Sequence, residues 1–395
     1  FEKKNYEYLK LKKKMKSNSK SILIKEVENK SDLKKFVKFQ FSLYKDNPYF
    51  VPPLIHDELA TFNKKTNPAF KDGDAKLFLA YKDGEILRRI AGILSNPLNR
   101  KNNTKNLRFG WIEMIDDYEV AKALFEAVEN WGKELGMNVL TGPHGFNDFD
   151  PQGMLVEGFD KTATIASYYH HPYYHKILEK YGFEKEVDYI EFWSTVPKDK
   201  AVPDKMVNAA KWVSEKYNFK LLKYDSVKDY VKRGRELFKL IEESFSENYG
   251  TVPLTEEQIE YYIKKYIGYI NKDLIKIVVN DKDEMIGFII TMPSLSLALQ
   301  KAKGHLFPFG FYHILKALKT YKILDFYFGG VKKEYRDKGV DLIMAVDIVK
   351  SAIELNFSNA ESNQELEENS KVQAQWKFFN PVMHKRRRIY RKEIT

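Results

Sequence analysis

The sequence predicts an α/β (α+β) chain of two similar halves, each a mixed, mostly antiparallel sheet flanked by helices. Three observations carry this. At 395 residues the chain is too long for one ordinary core and comfortable for two domains. Aromatic residues make up 14% of it, which excludes disorder as the main state. Strand and helix signals then occur in the same order twice, although residue identity between the halves is slight.

The first half spans residues 21–197. Ile22–Val27 alternates and reads as a strand, and Ser31 and Asp32 can cap a helix running to Tyr44. Pro48, Pro52 and Pro53 break it, and a short helix follows from Ile55 to Phe62. Lys76–Tyr81 and Ile90–Leu94 flank Lys82-Asp83-Gly84, a hairpin signal. Leu107–Ile115 is another strand. Val120, Leu124, Val128, Trp131 and Leu135 then line one face of a helix ended by Gly136. Val139–Thr141 makes a strand, Tyr173–Tyr181 a helix closed by Gly182, and Val187–Thr195 a last strand.

Pro197 and Pro203 mark a boundary, and residues 198–395 repeat the plan. Phe219–Tyr224 reads as a strand, followed by a helix through Phe245 and another after Thr255. The hairpin is Ile275–Val279 with Met285–Thr291 about Asp281-Lys282-Asp283. Ile323–Phe328 is a strand, and Leu342, Val346, Val349 and Ile353 mark a long helix. Ala360-Glu361-Ser362 ends the fifth strand, Asn369 is a good N-cap for a helix, and Arg386–Arg391 reads as a terminal strand. Residues 293–322 intrude as an insertion. In it Phe307-Pro308-Phe309-Gly310-Phe311-Tyr312 leads into Ile314, Leu315, Leu318 and Tyr321 set against Lys316, Lys319 and Lys322. Such an apolar face needs cover, by a lid, a second copy, a membrane interface or packing between the halves.

Composition narrows the function. There is no cysteine, so disulfides, thiolate metal sites and Cys nucleophiles are excluded. The net charge of +11 sits at the ends. Residues 1–20 carry eight Lys against Glu2 and Glu7, residues 384–395 six Lys or Arg against Glu393, and acids and bases balance between them. Lacking a basic field on its body, the protein is expected to have no specific nucleic-acid partner. The apolar stretch Ile286–Met292 is stopped by Pro293 and is too short to span a bilayer. The basic N-terminus has no apolar core behind it, and a cytoplasmic location is the expectation. His170, His171 and His175 cluster, and 171/175 has i, i+4 spacing, but Pro172 lets a continuous helix start only after it and no third ligand stands near that pair, so they read as helix-entry packing and no metal is expected.

The stretch that carries chemistry runs from Gly329 to Asp341. A strand ends in two glycines, a loop follows, and Gly339 opens an amphipathic helix. Glycines permit close backbone approach, and the N–H groups at a helix N-terminus form an anion site suited to phosphate. This segment resembles the acyl-CoA-binding loop of the GNAT acetyltransferase superfamily, which reads Gln/Arg-x-x-Gly-x-Gly/Ala. Arg336 and Gly339 fit the pattern, with Val331 and Tyr335 ahead of them; Asp341 departs from it. The order of elements extends the resemblance to both halves, as two GNAT-like domains in tandem. So do Asn47-Pro48-Tyr49-Phe50-Val51-Pro52-Pro53, Gln152 to Phe159, and Val252-Pro253-Leu254-Thr255.

The resemblance implies acetyl-CoA (or another acyl-CoA) as co-substrate and an amine, small molecule or peptide, as acceptor. Val331, Arg336, Asp337, Lys338, Gly339 and Val340, with Asn369, would hold the cofactor, whose pantetheine arm lies between two splayed strands. Asp325, on a central strand beside Ile323 and Tyr327, is the candidate base, since desolvation raises a carboxyl toward a useful range. Trp376 stands where the superfamily often has a Tyr acid, leaving Tyr335, Tyr390 or water to supply that proton. Glu361 and Glu367 would shape the acceptor site. In the first half the equivalent loop, Ile115-Asp116-Asp117-Tyr118-Glu119-Val120, lacks glycine and carries three acids, so that half reads as a non-catalytic copy. The expected function is an acyl-CoA-dependent N-acetyltransferase working from the second half; the alternative is a catalytically inactive binding or sensor protein on the same fold.

Overall fold

The computed structural model describes residues 22–197, 202–266, 271–320, 322–370, 373, 376 and 381–394; the basic segment 1–20 lies outside them. The first half contains β1 (Leu23–Glu26), α1 (Lys30–Leu43), α2 (Ile55–Thr61), β2 (Gly73–Lys82), β3 (Glu85–Ser95), α3 (Asn96–Asn102) and β4 (Asn106–Met114). It continues with α4 (Tyr118–Glu134), β5 (Val139–Gly142), β6 (Met154–Glu157), α5 (Tyr174–Tyr181) and β7 (Glu184–Thr195). Asn29, rather than Ser31 or Asp32, caps α1, its side chain accepting from the Asp32 N–H at 3.0 Å. Asp83 and Gly84, both at positive φ, close the β2–β3 hairpin with the twist its strands need.

The second half contains α6 (Asp204–Tyr217), β8 (Lys220–Leu221), α7 (Val227–Lys232), α8 (Gly234–Phe245), α9 (Glu256–Tyr266), β9 (Ile275–Val279) and β10 (Met285–Pro293). After these come α10 (Ser296–Ala302), α11 (Gly310–Thr320), β11 (Ile323–Val331), α12 (Val340–Glu354), β12 (Asn359–Glu361), β13 (Glu365–Leu366) and β14 (Val382–Glu393). The alternating stretch 219–224 yields only the two-residue edge strand β8, paired with β9.

Among the described residues the main sheet runs β1-β2-β3-β4-β5-β14-β7-β12-β11-β10-β9-β8, with β6 on β14 and β13 on β7. Among the described residues only β4–β5 and β11–β12 are parallel. The last strand of each half completes the sheet of the other: β14 lies between β5 and β7, and β7 lies beside β12. Both faces are covered. In the first half α4 and α5 bury Leu124, Phe125, Val128, Tyr174 and Leu178 on one face, and α1 buries Phe36 and Val37 on the other. In the second half α6 and α12 pack on one face and α8 on the opposite one. Each such side chain contributes about 1.5–3 kcal/mol of burial.

The two parallel pairings are equally short. Asn106–Arg108 pair with Val139–Thr141, and Ile323–Asp325 with Asn359–Glu361. Beyond those three pairs the strands part in both halves. A β-bulge accompanies each parting, at Trp111 (φ +46°) in β4 and at Tyr327 in β11.

Candidate active site

The two partings differ in what fills them. In the first half the turn after β5 folds back into the gap: the His144 N–H donates to the Phe109 carbonyl at 2.7 Å, and a Cβ on Gly110 would meet the His144 carbonyl at 2.1 Å. The start of α4 is occupied as well, because Asp117 accepts from the Glu119 and Val120 N–H groups and pairs with Lys82 at 3.3 Å. The chain's own atoms close this copy of the slot.

In the second half a cavity of about 1130 Å³ opens at the parting. Its walls include Gly329, Gly330, Val331, Tyr335, Arg336, Asp337 and Asp341 from the end of β11 to the first turn of α12, Phe326, Tyr327 and Phe328 along β11, and Asn363–Leu366, Asn369 and Trp376 from the segment after β12. It continues into the first half, reaching Val51, Glu58, Trp111 and Asp148, and under the insertion at Leu295, Leu299 and Ile314. This exceeds the ~300–1,000 Å³ usual for a single small ligand. Eight carboxylates line it against two basic side chains, Lys265 and Arg336.

The loop at its mouth is held in shape by its own side chains. Gly339 sits at φ +78° and a Cβ there would approach Val213 to 2.9 Å, so the residue before α12 has to be glycine. Arg336 folds back, donating to the Val331 carbonyl and to Ser244 of α8, both at 3.2 Å. The Tyr335 hydroxyl bonds to Asn280 at 3.0 Å, with Lys338 over its ring. Val340 is fully buried under α6. Val331, Tyr335, Arg336, Asp337 and Asn369 thus all line the cavity, whereas Lys338, Gly339 and Val340 do not.

Asp325, Glu361 and Glu367 lie elsewhere. Asp325 is not among the residues that line the cavity, although Leu324, Phe326 and Tyr327 around it are; burial, then the neighbouring Glu361 carboxylate, push its pKa well above the ordinary carboxylate range. It bonds to the Tyr327 hydroxyl at 3.3 Å. Glu361 belongs to a buried ion cluster in which the Lys385 ammonium bridges it to Glu191. His384 completes a possible three-donor metal group there, but the lysine already supplies the positive charge. Glu367 is on the surface with Arg386 and Lys185. Arg386–Arg388 bond to Glu157, Asp188, Glu191 and Glu367, on a strand that is interior, not an edge. The histidines behave as packing: His170 accepts from the Leu155 N–H at 3.2 Å, and His175 stacks on Phe159.

Three further carboxylates line the cavity; sequence reading passed over Glu365 and Glu58 and held Asp148, in the turn after Gly142, only as a reserve candidate for acceptor contacts. Glu365, on β13, accepts from the Trp376 indole at 2.5 Å, and among the described residues its Oε2 has no hydrogen-bond partner. Burial pushes its pKa up to about 7, against the Trp376 bond. Asp148 is pushed up to about 6 by burial, opposed by Arg108. Glu58 accepts from the Tyr168 hydroxyl at 2.6 Å and from the Trp111 indole at 3.1 Å. Glu365 follows a polar stretch whose only sequence signal is the pair of residues Asn363 and Gln364; its value comes from the surroundings.

No family model matches the sequence. The fold is nonetheless that of two GNAT-like domains in tandem, in one mostly antiparallel sheet flanked by helices. A tandem GNAT protein from the clavulanic acid biosynthesis pathway superposes with a TM-score of 0.56 over 95% of this chain and 99% of its own, at 10% identity. The GCN5-related glucosamine N-acetyltransferase region of a fungal multi-domain GH3 beta-N-acetylglucosaminidase gives 0.55 over 94% of this chain and 38% of that one, at 12% identity. In sequence the chain is similar to Protein YghO of Escherichia coli (strain K12), 27% identical over 94% of this chain and 95% of that protein. It is also similar to the bacterial ceramide synthase of Caulobacter vibrioides, 24% identical over 93% and 96%.

Proposed function

We propose that the protein is an acyl-CoA-dependent N-acyltransferase whose acyl donor binds the second half and whose acceptor is an amine carrying an apolar chain. The observation that carries this is the single cavity joining the α12 loop, the parted strands and an apolar chamber under the insertion. The loop Val331–Val340, with Arg336, Lys338 and Gly339, holds the CoA end, and Asn369 lines the same cavity. The first half, 21–197, supplies the acceptor wall and the second, 198–395, the donor site. An acidic lining attracts an ammonium head group, and Leu295, Leu299 and Ile314 accept a hydrocarbon chain. The name of the ceramide synthase relative supports a long-chain acceptor, and the chamber has room for acyl groups longer than acetyl.

In this reading Glu365 takes a proton from the ammonium. The neutral amine nitrogen attacks the thioester carbonyl carbon and the C–N bond forms; the C–S bond then breaks and CoA leaves as thiolate. Tyr327, whose hydroxyl burial keeps protonated and which lines the cavity, would protonate that sulfur and be restored by the second proton, which the nitrogen sheds as the adduct collapses to the amide. Asp325 acts through Tyr327, fixing its hydroxyl. Tyr335 buttresses the loop through Asn280.

The test is release of free CoA from acetyl-, decanoyl- and palmitoyl-CoA with a long-chain amino alcohol as acceptor. Turnover that rises with acyl length supports the reading, and turnover only with acetyl-CoA rejects the chamber's role. A silent binding protein is favoured by one observation, the return of Arg336 onto its own loop. Thermal stabilisation by CoA without any release would establish that alternative.

A further inference from the structure

The insertion carries a surface that the acyl-transfer reading does not use. Its inner face packs on the first half: Leu299, Ile314 and Ala317 join Phe50, Val51 and Leu54 in one core, and the Gln300 amide donates to the Pro48 and Phe50 carbonyls at 2.7 and 3.0 Å. Its outer face is apolar and open. Phe307 and Phe309 are 73% and 72% exposed at the tip between α10 and α11, and Tyr312 and Leu315 continue the patch along one side of α11. Solvated aromatic clusters of this kind mark interaction sites.

The charges around the patch point to one partner. From Met285 through Leu324 the sequence contains no Asp or Glu, while Lys301, Lys303, Lys316, Lys319 and Lys322 are all exposed. Exposed aromatics interspersed with lysines, on a stretch of chain that carries no carboxylate, are the composition of an interfacial anchor, with rings entering the acyl–headgroup boundary and ammonium groups meeting lipid phosphates. We infer that the α10–α11 insertion docks on an anionic phospholipid bilayer. Because α10 and α11 also wall the cavity, the docked surface and the apolar chamber are two sides of the same element. A substrate dissolved in the bilayer would then reach the chamber at its apolar end.

The inference is independent of catalysis, since its test needs no acyl-CoA. The full chain is sedimented with vesicles of phosphatidylcholine containing phosphatidylglycerol, and with phosphatidylcholine alone. Binding is expected to the anionic vesicles and to weaken with salt. The double variant Phe307→Ser/Phe309→Ser should lose about tenfold or more in vesicle affinity with an unchanged melting temperature, as should Lys316→Glu/Lys319→Glu. Tyr312→Ser/Leu315→Ser is the replacement should the first variant fail to fold. Absence of wild-type binding, or binding that survives these variants, overturns the inference. So does a wild-type dimer that the Phe variants convert to monomer, which would make the patch a contact between copies.

Discussion

Glu365 illustrates how a residue acquires chemistry from its surroundings. Its carboxylate would be unremarkable in water; burial beside Trp376 moves its pKa to about 7. CoA release should therefore rise with pH to a plateau with a midpoint near 7, as the base becomes ionised. Glu365→Gln should lower kcat about 10²–10⁴-fold and flatten that profile, with CoA-dependent thermal stabilisation retained. The raised pKa also has a stability sign. The folded state binds the proton more tightly than the unfolded chain, so this group's contribution declines as pH rises from the unfolded value near 4.5 through about 7. Glu191 is the opposite case. Burial disfavours its charge, but Lys385 and Arg387 outweigh burial and hold its pKa at about 2. Its stabilisation is present above about 4.5 and lost as pH falls through about 2. Glu191→Ala would strip the buried Arg387 of its carboxylate and leave Lys385 with Glu361 alone, and a loss of about 3–5 kcal/mol in urea denaturation is expected.

The α12 loop and the insertion are the elements through which the cavity is defined. At Gly339 any side chain is both strained by φ +78° and blocked by Val213. Gly339→Val should abolish the thermal shift produced by CoA while circular dichroism stays close to wild type. Leu299 walls the far end of the chamber. Leu299→Trp should fill that end and shift the preferred acyl or acceptor chain to shorter lengths, seen as a raised KM for palmitoyl-CoA relative to acetyl-CoA. The loop was legible because glycines, a basic turn and a helix start form a local pattern. The capping of α4 by Asp117 was equally legible as an absence of glycine. The filling of the first gap by Gly142–His144 was not, because the contact joins the turn to a strand more than thirty residues away.

For the whole molecule, the exchange of last strands makes each half incomplete alone. β14 supplies the buried Lys385, Arg387, Ile389 and Tyr390 to a sheet otherwise drawn from residues 22–195. A chain ending at residue 381 should lose protection of the first half's amides in hydrogen exchange, and a 22–197 fragment should fold cooperatively only when a 382–394 peptide is added. Sequence reading placed Arg386–Arg391 on a terminal strand without a neighbour; the structure buries it between β5 and β7. Strand periodicity reports which residues alternate, and it carries no information about which neighbour a strand will choose.

Sequence alone thus determined what is local: the helix faces set by 3.6-residue spacing, the hairpins set by Asp-Gly and Asp-Lys-Asp turns, the doubled order of elements, and the glycine-opened loop. The tertiary structure decided which gap stays open, which carboxylates face it, and where the terminal strand goes. Those depend on contacts between residues far apart in the chain, whose energies come from desolvation and packing that no short window of sequence contains.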